Sequence, residues 1–157
     1  MRFSLLVTLF GVGAVLMAVA VVFMYGTDGS GEPKTPVEHG RRLFRLQGCA
    51  TCHAIGGGIS RGPDLAGLIP RLSARLTDTA YRNHLDSLSV AKPDVYAFFA
   101  PRYEHVLGAQ GEERIKAWFA EHLRNPRFDH FTGLMPDYDH LTEEQVDRLT
   151  AYILTLR

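Results

Sequence analysis

The stretch Cys49-Ala50-Thr51-Cys52-His53 contains both cysteines of this 157-residue chain, with a histidine directly after the second. Two cysteines are too few for a secreted scaffold held together by disulfides. The chain has 17 basic and 17 acidic side chains, so its formal net charge is zero. It therefore lacks the excess positive charge with which proteins bind a phosphate backbone, and we predict no nucleic-acid partner. The cysteine cluster decides the chemistry of this chain.

The spacing C-x-x-C-H is that of covalent c-type haem attachment. Two thiols three residues apart can form thioethers to the two vinyl groups of one porphyrin, and the next residue then offers its imidazole to the iron. We predict one haem c, bound through Cys49 and Cys52, with His53 as an iron ligand. Haem of this type is attached outside the bacterial cytoplasm, so the motif also implies that the domain is exported.

Three other interpretations of the same cluster are open. A thioredoxin-like redox pair would need a βαβ setting, of which the sequence shows no sign. A closed zinc site would need four ligands, so a distant histidine would have to complete it. A disulfide between such near neighbours would close a very short loop and stabilise the chain little. Because these alternatives lack supporting context, haem attachment is the favoured interpretation.

Met135, which lies just before Pro136, is the predicted second axial ligand. The other three methionines lie at or within the apolar N-terminal segment. A thioether ligand would raise the reduction potential of the iron. Methionine in a folded core more often fills a gap, and that interpretation stays open. A second histidine is the rival ligand, and the candidates are His84, His105, His122, His130 and His140.

The N-terminal segment Phe3–Tyr25 contains no charged residue. As a helix it would be roughly 35 Å long, enough to cross a bilayer core of about 30 Å. We therefore predict a single transmembrane anchor over residues 1–25, with Arg2 favouring a cytoplasmic N-terminus. A signal peptide cleaved after Ala18-Val-Ala20 is the alternative, although the apolar run exceeds the roughly 7–15 residues of a signal peptide's apolar core. Either interpretation exports the rest of the chain.

The remaining sequence predicts helices and no strands, so the expected fold class is all-α. Residues 26–35 form a polar, Gly-rich linker, and residues 36–157 form the folded domain. Thr35, Pro36 and Glu38 form a typical helix start, and this helix is expected to run to about Gln47, with Gly48 ending it. Further helices are expected over Leu76–Leu88, Pro93–Phe99 and Gly111–Arg124, and after a second capping box at Thr142–Gln145.

Several separated segments resemble a class I c-type cytochrome. The resemblance covers residues 36–68 and 111–157, and residues 69–110 are an insertion that departs from the compact family pattern. The matching segments are the first helix with Gly40 and Phe44, the motif Cys49–His53, the loop Gly62-Pro63-Asp64-Leu65, the segment Leu123-Arg124-Asn125-Pro126 followed by Met135, and the closing helix with Leu149 and Tyr152.

The resemblance implies a fold and particular contacts. The fold is a cytochrome c-like helical domain around one covalent haem, preceded here by one transmembrane helix. The carbonyl of Pro63 would accept a hydrogen bond from His53 and so orient its imidazole. Tyr152 of the closing helix would lie against Gly40 and Phe44.

Two features are compatible with more than one role. The insertion carries the aromatic residues Tyr81, Tyr96, Phe98, Phe99 and Tyr103. It would form either an extra layer over a haem edge or a docking surface for a partner subunit. Trp118 would either donate its indole N–H to a haem propionate or belong to the core.

With His53 and Met135 both bound, the iron would have no vacant position, and the chain would carry electrons rather than act as an enzyme. We expect a membrane-tethered monohaem carrier of a respiratory chain, on the extracytoplasmic side of the bacterial cytoplasmic membrane. It would be a subunit of, or a shuttle between, a quinol-oxidising complex and a terminal oxidase or soluble cytochrome. The alternative is a peroxidase-like haem enzyme or a gas-binding sensor with an open sixth position.

Overall fold

The computed structural model describes Pro33 and residues 35–157, together with Gly13, residues 15–17 and Val19. The chain divides into two units, Met1–Glu32 and Pro33–Arg157. The five described residues of the first unit are helical. Apart from these positions, the predicted anchor over residues 1–25 lies outside the described residues, as does most of the predicted linker. Among the residues that are described, no helix has both the length and the apolarity needed to cross a bilayer.

The second unit is helical, and none of its described residues forms a strand. This agrees with the predicted all-α class. Six α-helices and one short 3₁₀ turn follow one another along the chain. They are α1 (Pro36–Leu46), the 3₁₀ turn (Cys49–Thr51), α2 (Leu68–Arg75), α3 (Asp78–Ala91), α4 (Pro93–Gly108), α5 (Gly111–Arg124) and α6 (Glu143–Ile153).

The helix boundaries at both ends of this unit follow from local hydrogen bonding. The Thr35 hydroxyl accepts from the backbone N–H of Glu38 at 3.2 Å, and the Glu38 carboxylate accepts from the backbone N–H of Thr35 at 3.0 Å. Thr142 and Gln145 make the same reciprocal pair at the start of α6. Both predicted capping boxes are therefore confirmed, and α5 has the predicted bounds.

The insertion differs from the prediction in two helices. Helix α2 was not predicted from the sequence. Its Pro70 lies in the first turn of the helix, where a backbone N–H would have no partner within the helix. The prediction that α4 ends at Phe99 is wrong, since the helix continues through Pro101 to Gly108. Phe99, Tyr103 and Val106 recur at helical spacing across this proline and are all buried, so packing outweighs the lost hydrogen bond.

Helices α1 and α6 cross at a point where their backbones nearly touch. A Cβ atom added at Gly40 would collide with the carbonyl of Arg148 and would lie 2.8 Å from the Cβ of Tyr152. One turn further along α1, the Phe44 ring meets the Tyr152 ring edge-on, with centroids 5.5 Å apart. The packing of Tyr152 against Gly40 and Phe44 is thus confirmed. This crossing holds the end of α1, and hence the start of the cysteine stretch, in place.

The inserted helices share one core with the rest of the unit. Their buried side chains are Leu72, Leu76, Tyr81, Leu85, Phe99, Tyr103 and Val106, which join Ile115, Trp118, Phe119 and Leu123 of α5. Three of the five aromatic residues of the insertion are buried, while Phe98 is 76% exposed. Most of these aromatic side chains therefore serve packing.

Candidate haem site

The two cysteines lie in a tight turn directly after α1. The backbone N–H groups of Cys52 and His53 both donate to the carbonyl of Cys49, at 3.2 and 2.9 Å. Cys49 is buried, Cys52 is half-buried, and both are free thiols. The disulfide interpretation therefore has no support in the structure. Burial raises the pKa of the Cys49 thiol above its usual value, and a hydrogen bond with Tyr138 partly offsets this rise.

The imidazole of His53 is oriented by the loop that follows it. Its Nδ1 atom lies 3.0 Å from the carbonyl oxygen of Pro63. Because a carbonyl only accepts hydrogen bonds, Nδ1 carries the proton and donates, which leaves the lone pair of Nε2 available to a metal ion. This is the contact that the resemblance implied for Pro63.

Gly62 permits the close approach between this loop and the ring. A Cβ atom added at Gly62 would lie 2.7 Å from Nδ1 of His53, a distance that real Cβ atoms do not reach. The N–H of Gly62 donates to the carbonyl of Cys52 at 2.8 Å, so the loop is also tied to the cysteine stretch. Any larger residue would displace either the ring or the Pro63 carbonyl.

Asp64 binds the backbone of the glycine-rich loop of residues 56–58, which follows His53 in the sequence. This role was not predicted from the sequence. The Asp64 carboxylate accepts from the backbone N–H groups of Gly56, Gly58 and Ala66 at 2.9, 2.6 and 2.8 Å. These hydrogen bonds, of which that from Ala66 has the largest effect on the pKa, hold the pKa of the carboxyl below its usual value. The available signal was an aspartate directly after Pro63 and shortly after three consecutive glycines.

Met135 is half-buried and packs against the core. Its segment is held by Tyr138, whose backbone N–H donates to the carbonyl of Leu123 at 2.8 Å and whose hydroxyl donates to that of Gln47 at 3.4 Å. The Tyr138 hydroxyl also forms a hydrogen bond with the Cys49 thiol. The structure thus brings Cys49, Cys52, His53 and Pro63 into one cluster, and it ties the Met135 segment to that cluster through Tyr138.

Five histidines were considered as alternatives to Met135 as the second axial ligand. Three of them form a hydrogen bond with another residue through one ring nitrogen. His84 bonds the carbonyl of Asp129 at 2.8 Å, His105 bonds Glu121 at 2.9 Å, and His140 bonds Gln47 at 3.2 Å. His130 is exposed. The Nδ1 atom of His122 differs from all of these, because it is closed off from solvent and has no hydrogen-bond partner among the described residues.

Trp118 makes a contact within the protein. Its indole N–H donates to Oδ2 of Asp129 at 2.6 Å, and the same oxygen accepts from Arg75 at 2.7 Å. Within the described part of the chain, no three His, Cys, Asp or Glu side chains lie together as in a metal site. The closed zinc site considered above is therefore not formed there.

The donor set fits a haem. Two free thiols lie at the right spacing, and the adjacent imidazole is held by Nδ1 with Nε2 available. A buried nitrogen, Nδ1 of His122, lacks a partner within the described structure. The C-x-x-C-H stretch, which here follows the first helix of an all-α unit, places the chain in the class of c-type haem proteins.

Comparison with protein families specifies that class. The cytochrome c family model matches residues 37–157, and the chain belongs to this family. Membership implies covalently bound haem c and haem-based electron transfer, and members of the family are typically electron carriers rather than enzymes. Searches of the curated proteins and of the solved structures found no significant match.

Proposed function

We propose that this chain is a membrane-tethered monohaem electron carrier of a respiratory chain. Cys49 and Cys52 would bind one haem through thioethers, and His53 and Met135 would occupy the two axial positions. The hydrogen bond from Nδ1 of His53 to the Pro63 carbonyl carries this proposal, because it orients the ring and leaves Nε2 available. The bound haem supplies reversible one-electron chemistry.

The protein residues would close the site as well as bind the group. Tyr138 holds the segment that carries Met135 against Gln47 and Cys49. A methionine thioether held in this way raises the reduction potential of haem iron. With both axial positions taken by side chains, no position remains for a substrate.

Exposed apolar side chains support docking of a redox partner near the cysteine stretch. Leu46 precedes Cys49 by three residues and is 69% exposed, and Ile59 lies in the glycine-rich loop and is 88% exposed. A chain of zero net charge has little electrostatic steering, so apolar contact would dominate binding. The partners would be a quinol-oxidising complex and a terminal oxidase or soluble cytochrome.

The uncharged segment Phe3–Tyr25 supports a single-pass tether. Covalent haem attachment outside the cytoplasm supports the extracytoplasmic side of a bacterial membrane as the location of the haem domain. In this arrangement the chain would serve as a subunit of a membrane complex or as a tethered shuttle between two of them.

Replacing Met135 by Ala tests the closed site. We expect the wild type, expressed with haem c maturation, to contain one haem per chain and to leave carbon monoxide unbound in the ferrous state at neutral pH. Met135→Ala should bind carbon monoxide rapidly and have a lower reduction potential, because the thioether is lost.

Leu134→Ala is the matched control, since this neighbouring side chain is 96% exposed. It should behave like the wild type. Rapid binding of carbon monoxide by the wild type would instead support a haem enzyme or gas sensor. A Met135→Ala spectrum identical to that of the wild type would refute the ligand assignment.

A further inference from the structure

A cleft lies between the start of α4 and the segment that follows α5, and we call it the α4 cleft. It has a volume of about 290 Å³ and is lined by Lys92, Val95, Phe99, Asn125, Arg127 and Phe131. None of these residues takes part in the candidate haem site. Three of the side chains are apolar, and the other three carry hydrogen-bond donors, so the α4 cleft suits a ligand that is both apolar and an acceptor.

The donors of the α4 cleft have no acceptor within the described structure. Lys92 and Arg127 are exposed, and neither side chain forms an ion pair or a hydrogen bond with another described residue. Asn125 accepts the backbone N–H of Arg127 through Oδ1 at 3.1 Å, which leaves its amide N–H groups available. No described acidic side chain lines the cleft, since Asp94 lies outside it. The lining therefore attracts carboxylates, although the chain as a whole is neutral.

The apolar surface of the α4 cleft continues beyond its edge. Phe99 is buried and Phe131 is half-buried in the lining. The Phe98 ring meets the Phe99 ring edge-on, with centroids 4.9 Å apart, yet Phe98 is 76% exposed. Aromatic residues and arginine are enriched at protein–protein interfaces. A small anion would fill the cleft and leave Phe98 in water, whereas a segment of a partner protein covers both.

The position of the α4 cleft in the fold suits electron transfer. Arg127 and Phe131 belong to the segment that leads from α5 to Met135, and the four residues from Phe131 to Met135 span at most about 14 Å. A partner bound here is thus close to the predicted second axial ligand. The exposed residues near the cysteine stretch, Leu46 and Ile59, belong to other segments. Because an electron carrier needs a donor and an acceptor, the α4 cleft offers a surface for a second partner.

We propose that the α4 cleft, together with Phe98, is a docking surface for an acidic segment of a redox partner protein. Carboxylates of this segment pair with Lys92 and Arg127, and an apolar side chain between them packs on Phe99. The charge pairs set the orientation and the rate of docking, and the apolar contact provides affinity. The inference goes beyond the proposed function, because it assigns the insertion a partner of stated charge. It requires an electron carrier but no membrane tether.

Photo-crosslinking from position 98 in membranes of the native host tests the proposal. The full haem-loaded chain carries Phe98→p-benzoylphenylalanine, which keeps an aromatic ring and forms a covalent adduct on irradiation. We expect a protein adduct whose cross-linked peptide, identified by mass spectrometry, is rich in Asp and Glu. Adding both Lys92→Glu and Arg127→Glu should lower the adduct yield about tenfold, because two attractive charge pairs become repulsive.

The double substitution Arg41→Glu and Arg42→Glu is the matched control. Both arginines are exposed on α1 and form no ion pair with a described residue, so the same change in net charge should leave the adduct yield unchanged. A salt titration on the chain that carries only the photo-crosslinker keeps the test independent of the folding of the charge variants. Its adduct yield should fall severalfold at high salt, since salt screens exposed charge pairs.

Four outcomes would overturn the proposal. An adduct with phospholipid alone would show that the surface faces a membrane, and an adduct with a second copy of this chain would show self-association. The absence of any adduct would show that no partner docks there. An adduct yield that neither charge reversal nor salt changes would show that carboxylates are not recognised. The carbon monoxide test of the wild type does not depend on these results, so the proposed function and the docking surface can fail separately.

Discussion

The imidazole of His53 shows how one hydrogen bond prepares a side chain for a metal ion. The carbonyl of Pro63 lies 3.0 Å from Nδ1, and Gly62 leaves the space that this approach requires. The proton is thereby held on the nitrogen that faces the protein. The other nitrogen keeps its lone pair, and this division of roles orients the ligand before any metal binds.

Hydrogen bonds to Asp64 likewise fix the glycine-rich loop that follows His53. Oδ1 accepts from Gly56 and Ala66, and Oδ2 accepts from Gly58. In Asp64→Asn, the amide NH₂ would face at least one of these backbone N–H groups, so a hydrogen bond would be replaced by a repulsive contact. We expect Asp64→Asn to have a lower free energy of unfolding than the wild type at pH 7, measured by urea denaturation.

The pH dependence of this effect follows from the direction of the pKa shift. The folded-state pKa of Asp64 is depressed, so its contribution is fully present above the unfolded pKa of about 3.9 and is lost as the pH falls through the folded value. The stability difference between the wild type and Asp64→Asn should therefore shrink as the pH falls below about 4. A difference that stays constant down to the lowest pH would contradict this role.

The crossing of α1 and α6 shows how far helix packing depends on one small residue. Gly40 brings α1 against the backbone of Arg148, and the rings of Phe44 and Tyr152 meet one turn further on. A backbone carbonyl cannot move aside as the end of a flexible side chain can. The space at this crossing is therefore available to glycine alone.

We expect Gly40→Ala to lower the free energy of unfolding by about 1–3 kcal/mol, the typical cost of overpacking. Alanine has the better helix propensity by about 1 kcal/mol, but the collision with the Arg148 carbonyl outweighs it. Chemical denaturation of the haem-loaded protein measures this difference.

Gly108→Ala is the control for helix propensity, because a Cβ atom there meets nothing within 4 Å. It should be neutral or slightly stabilising. Equal destabilisation by both substitutions would show that space at the crossing is not the cause.

In the unit of residues 33–157, Asp129 joins the insertion to the rest of the core. Its carboxylate is fully buried and accepts from Arg75 of α2 and from Trp118 of α5. Its backbone carbonyl contacts His84 of α3. Three helices thus meet at one acidic residue, which makes the insertion part of the fold rather than an appended segment.

The N-terminal segment leads to a prediction about the cellular location of the whole chain. We expect the full-length protein to remain in the membrane fraction after high-salt washing. A variant in which residues 1–25 are replaced by a cleavable signal peptide should attach haem and appear in the soluble periplasmic fraction. N-terminal sequencing of the full-length protein checks the alternative, since a mature chain that begins after Ala20 would refute the anchor.

Local patterns determined much of this protein. The motif Cys49–His53, the capping boxes at Thr35 and Thr142, and the bounds of α5 all depend on neighbours within a few residues, so the sequence alone predicts them. The insertion was less predictable. Pro70 and Pro101 resemble helix breaks locally, and only the burial of residues such as Leu72 and Tyr103 shows that packing outweighs them.

Only the tertiary structure decided the environment of the candidate haem site. The binding of the glycine-rich loop by Asp64, the hold of Tyr138 on the cysteine stretch and the stack of His122 on Trp118 join residues through contacts that no periodicity encodes. The sequence by itself determined that the chain has a C-x-x-C-H motif on a helical framework. Burial and hydrogen-bond geometry decided which side chains orient that motif, because both depend on segments that meet only when the chain folds.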